Sequence, residues 1–118
     1  MSDNFQMINL DYLNEISEGN DDLMNDLVEM FFEQVPDYQK SLNDLYQKKD
    51  WLNLGKIAHK AKSAILMVGM NDLAEKLKKL EENAKEGKNI DEYQEIIAKF
   101  VRESDFALKE LSELKNKK

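Results

Sequence analysis

A chain of 118 residues, 42% of them hydrophobic, has room for one compact domain, and four glycines, one proline and 35% charged residues leave few breakers among helix-favouring side chains. A net charge of −7 excludes a general nucleic-acid binder, and the absence of cysteine excludes disulfides, thiolate metal sites and a cysteine nucleophile, as suits a cytoplasmic protein. No apolar run approaches the roughly 20 residues of a membrane span, and the opening MSDNFQMINLDYLNE has neither the basic start nor the apolar stretch of a secretory signal.

Residues 1–9 read as a flexible arm. Leu10, Leu13 and Ile16 then give a short amphipathic helix ending near Gly19. Asn20 or Asp21 can cap a second helix, in which Leu23, Leu27, Met30, Phe31 and Val35 recur at three- and four-residue spacing up to Pro36. Proline breaks or bends a helix but is tolerated in a first turn, so a third segment is expected through Tyr38, Leu42, Leu45 and Tyr46. Asp50 is placed to cap a fourth helix from Trp51 to about Val68, with Gly69 ending it. Asn71 is placed to cap a fifth, carrying Leu73, Leu77, Leu80 and Ala84 to Gly87. A last helix carries Tyr93, Ile96, Ile97, Phe100, Val101, Ala107, Leu108 and Leu111 before a frayed lysine-rich tail at 115–118. With short connections and no repeat or linker, residues 10–114 form one domain. The expected fold class is all-α, an antiparallel four-helix bundle with one or two short N-terminal helices packed as a lid.

The only histidine, His59, lies on the fourth helix. At about 100° per residue, Trp51, Leu54, Ile57, Ala58, Ala61, Ala64, Ile65 and Val68 share one arc of roughly 140°, and His59 points about 150° away from its centre. A buried structural histidine is therefore disfavoured, which leaves a plain surface residue or a reactive one. Residues 51–69 contain Lys56, Lys60 and Lys62 and no acid, a local positive charge in an acidic chain. Such a cluster can answer the oxygens of a phosphoryl group, or simply form a solvated face. Gly55 and Ser63 sit four residues either side of His59 on the same ridge. Mid-helix glycine costs about 1 kcal/mol relative to alanine, a cost offset by clearance for a partner's loops or by close helix packing.

His59 lies ten residues before Gly69 and Glu81 twelve after it. At about 1.5 Å per residue the two are nearly level across an antiparallel pair, so Glu81 can reach the ring. A carboxylate accepting from Nδ1–H fixes the tautomer that leaves the Nε2 lone pair free for attack. The same face carries Leu52, Leu66 and Met70, an apolar strip suited partly to packing under the lid and partly to docking a partner.

The string AHKAKSAILMVGMNDLAEKLKKLEENAKEG, Ala58 to Gly87, resembles the signature of the histidine phosphotransfer (HPt) family: an Ala-His pair, lysine three on, a small residue after it, glycine ten on, then Leu-Glu. Phe31–Phe32, Leu42 and Asp50–Trp51 fit upstream, so the resemblance spans roughly residues 8–114. It implies a stand-alone carrier of a bacterial-type phosphorelay. His59 accepts a phosphoryl group at Nε2 from the aspartyl phosphate of a receiver domain and passes it to another. By the same resemblance Lys62 steadies the phosphoryl oxygens, Glu81 orients the imidazole, and Lys60 gives secondary support. Ser63 and Ala61 depart from the usual glycine and larger aliphatic residue, which narrows access slightly and thins the packing. Implied partners are response-regulator receivers and a hybrid histidine kinase, met by a monomer with no metal or cofactor of its own. Mg²⁺ comes with the receiver. The alternative is a helical adaptor that binds receivers or kinases without carrying phosphate. A conventional hydrolase has little to build on, with no glycine-rich phosphate loop and no HExxH string.

Overall fold

The computed structural model describes residues 7–116, and their secondary structure is helical throughout, with no strand among them. Helix α1 spans Leu10–Ile16, α2 Asp21–Lys48, α3 Trp51–Met67, α4 Asn71–Glu86 and α5 Tyr93–Asn116, with a 3-10 turn at Ile90–Glu92 leading into α5. The starts follow capping chemistry. Asn9 accepts the Tyr12 amide at 3.0 Å, Asn20 the Leu23 amide at 3.1 Å and Asp50 the Asn53 amide at 3.3 Å. Helix α4 differs, since its cap position is Met70, which gives no side-chain bond, and Asn71 is already its first helical residue.

The expected break at Pro36 does not occur: α2 runs through it for 28 residues. Met24, Val28, Phe31, Val35 and Leu42 bury one stripe that continues past the proline, and that packing offsets the missing amide. Of the apolar residues read on this helix, Leu23 and Met30 face outward. The bundle is thus α2–α5, and only α1 is accessory. Helix α3 packs most extensively on α4 and then on α2, while α5 closes the bundle against α2 and α4. The short connections make sequential helices antiparallel, and the body measures 44 × 23 × 20 Å.

Two features fix the ends. Trp51 meets Tyr93 edge-on at 5.3 Å and Tyr46 at 5.9 Å, tying the end of α2 to the starts of α3 and α5. At the other end, residues 7–9 of the expected arm are held in place. The Met7 and Ile8 amides donate to Glu110 Oε1 at 3.0 and 2.9 Å, and the Asn9 amide donates to Val68 O at 2.8 Å. Residues 1–6 lie outside the described residues, and so do 117 and 118 of the expected tail, whose first two positions belong to α5. Leu13 of α1 is buried beside Val28, Phe31 and Val68.

Candidate functional site

The face of α3 that packs inward is the one its periodicity marks, with Leu54, Ala58, Ala61, Ala64 and Ile65 buried. His59 is on the opposite side, its side chain 57% exposed. Helix α4 returns from the turn at Gly69, whose φ of +75° suits glycine and whose missing Cβ makes room for the Asn9 side chain. That return brings Glu81 level with the histidine. His59 Nδ1 and Glu81 Oε2 are 3.0 Å apart.

Glu81 is the hub of the site, with its side chain only 12% exposed. Lys62 Nζ donates to its Oε1 at 3.3 Å, and Lys85 Nζ stands 3.8 Å from its Oε2. Burial pushes the Glu81 carboxyl up. The hydrogen bonds from His59 and Lys62 and their positive charge outweigh that effect, and it titrates below the ordinary 4.5. An ionised carboxylate has no proton to give, so at neutral pH the proton between the two residues is on Nδ1 and the ring donates. In the neutral imidazole Nε2 then carries the lone pair, on an exposed ring.

Gly55, Lys56, His59, Lys60, Glu81 and Lys85 line a shallow open groove beside the ring. Lys56 and Lys60 are exposed along it. Ser63 is exposed above the ring and its hydroxyl donates to the His59 carbonyl at 3.3 Å, one turn back along α3. Gly55 is buried, and a Cβ there would sit 3.3 Å from the Glu81 carbonyl oxygen and 3.4 Å from Ala84 Cβ. Close approach of α4 therefore accounts for it.

The apolar strip divides. Leu52 is 60% and Leu66 41% exposed, either side of His59 on the open face. Met70 is 6% exposed and belongs to the core, so it is unavailable for docking. It follows the turn at Gly69, where the helical period that aligned it with His59 no longer applies. Sequence reasoning did not single out Lys85. Its signal was present, because Lys85 follows Glu81 by four residues and a helix stacks such pairs. It counted Leu23 and Met30 in the apolar stripe of the second helix and did not single out Tyr12, and all three leave apolar surface exposed on α1 and α2.

Among the described residues, no group of three or more His, Asp or Glu side chains is gathered to hold a metal ion, and no helix is long and apolar enough to cross a membrane. No match was found among curated proteins or among solved structures. The family model of the Hpt domain matches residues 26–117, which takes in α2 from its second turn and the whole of α3, α4 and α5, and the chain therefore belongs to the Hpt domain family, whose members carry phosphoryl groups on histidine in phosphorelays.

Proposed function

We propose that His59 is the phosphoryl acceptor and that its Nε2 exchanges the group with the aspartyl phosphate of receiver domains. The observation that carries this reading is the 3.0 Å bond between Nδ1 and Glu81 on an otherwise exposed ring. In the forward step the Nε2 lone pair attacks phosphorus, the Nε2–P bond forms, and the P–O bond to the receiver's aspartate breaks. The aspartate leaves as a carboxylate with the bonding pair. Nδ1 keeps its proton, so the imidazole gains a positive charge that Glu81 faces directly.

Lys62 fixes the other carboxylate oxygen and, with Lys60, adds positive charge where the phosphoryl oxygens arrive. The receiver supplies its acidic pocket and Mg²⁺, and this chain supplies a nucleophile and a platform. Leu52 and Leu66 offer apolar contact beside the lysines, with Lys56, Gly55 and Ser63 bordering the approach. The lysines on α3 attract an acidic pocket, so added salt weakens the encounter. On this reading the protein is a cytoplasmic monomer serving a hybrid kinase and at least two receivers.

The test is incubation with phosphorylated receiver domains. An acid-labile, alkali-stable label is expected on the wild type and none on His59→Ala, whose stability should change by no more than about 0.5 kcal/mol at so exposed a site. Receiver binding that survives the substitution, with no phosphohistidine formed on the wild type, would instead select a phosphate-free adaptor.

A further inference from the structure

Lys85 plays no part in the reading above, yet it shares a carboxylate oxygen with the reactive ring. Its Nζ stands 3.8 Å from Glu81 Oε2, the oxygen that also faces His59 Nδ1 at 3.0 Å. It is exposed, and it lines the groove beside His59. Lys62 is half-buried, is bonded to the other oxygen at 3.3 Å, and is not among the residues that line the groove. The two lysines flank one acid but differ in freedom to move.

We propose that Lys85 is a phosphoryl-contacting cation that α4 contributes to the site. This rests on His59 being the acceptor. The form of the ring that attacks is the neutral one, and with it Oε2 is divided between Nδ1–H and the ammonium. When Nε2 takes the phosphoryl group, the ring becomes cationic while Nδ1 keeps its proton, and two positive groups then compete for Oε2. The ring is held there by α3. Lys85 has a long flexible stem and turns from the carboxylate to the new dianion across the groove. A cation that moves from acid to phosphoryl group lowers the barrier to transfer without binding the empty site, because its new partner exists only once the group arrives.

The experiment uses the full chain and phosphoramidate, a small donor whose P–N bond breaks as Nε2–P forms and whose nitrogen leaves, protonated, as ammonia. The phosphorylated protein is titrated by ³¹P NMR. Loss of a neighbouring cation disfavours the dianion, so Lys85→Met should raise the phosphoryl titration midpoint by about half a pH unit and Lys85→Arg should restore it. Lys85→Met should also slow labelling about fivefold, whereas Lys78→Met, which removes the same charge elsewhere on α4, should change neither quantity. A Lys85→Met midpoint equal to that of the wild type overturns the proposal even if labelling slows, since that pattern is what a mere tether for Glu81 would give. A wild type that takes label on no histidine overturns the acceptor reading itself, and the proposal with it.

Discussion

Gly55→Ala probes the tightest point between α3 and α4. The substitution gains about 1 kcal/mol of helix propensity in the middle of α3. Against that gain, the new methyl stands 3.3 Å from the Glu81 carbonyl oxygen, 3.4 Å from Ala84 Cβ and 3.8 Å from the Lys85 amide. Ordinary contacts between carbon atoms lie at about 3.5–4.0 Å, so α4 must retreat by a few tenths of an ångström. Overpacking of this kind costs about 1–3 kcal/mol, which leaves a net loss near 1 kcal/mol and a melting temperature lower by about 4 °C. The atom pushed away is in the backbone of the residue that orients the histidine. The 3.0 Å bond from His59 to Glu81 lengthens, and phosphoryl acceptance should slow about threefold to tenfold. Thermal melting by circular dichroism and labelling by a phosphorylated receiver measure the two effects on one sample. A variant that melts higher than the wild type and accepts phosphate at the same rate would refute the packing argument. One equally stable but unable to bind a receiver would assign Gly55 to partner clearance instead.

Three further outcomes are expected. Glu81→Gln should slow transfer without stopping it, because the Nε2 lone pair remains. Since the folded-state pKa of Glu81 is depressed, its contribution to stability is complete above the ordinary 4.5 and is lost as pH falls through the lower folded value. Urea unfolding across that window should show the stability gap between wild type and variant closing towards acid, and a gap independent of pH would contradict the pairing. Pro36→Ala, at an exposed mid-helix position, gives α2 an amide where it lacks one and should raise stability by about 1–3 kcal/mol in the same assay; a loss would mean the proline is part of α2's required shape. Glu110→Ala removes the acceptor of two amides, so it should cost about 1–3 kcal/mol and speed hydrogen exchange at Met7 and Ile8, and unchanged exchange there would show that the segment is held by other contacts.

Much of the site is legible in the sequence, because it depends on short-range geometry. The arc of small and branched side chains on α3 is a property of its own period, and it turns His59 outward whatever packs behind it. The register of Glu81 needs only two helix rises and the turn at Gly69 between them. Other points were open in the sequence because two local rules allowed both answers. Pro36 can begin a helix or interrupt one, and the stripe from Met24 to Leu42 decided the matter only by having a core to enter. The apolar residues of α2 fit two adjacent faces, and neighbouring helices chose the one with Met24 and Val28 over the one with Leu23 and Met30.

The sequence by itself determined that this is an all-α chain with an outward histidine among lysines, since caps, periodicity and charge act within a turn or two of helix. What the tertiary structure decided depends on groups far apart along the chain. Gly55 is small because α4's backbone passes beside it, and Met70 is buried because the chain leaves the helical path at Gly69. Met7 and Ile8 are held because Glu110, more than a hundred residues away, turns a carboxylate towards them. Glu81 gathers Lys62, Lys85 and the ring onto two oxygens only when α3 and α4 lie side by side, and that contact, which no single helix contains, converts an exposed histidine into one with a fixed proton and a free lone pair.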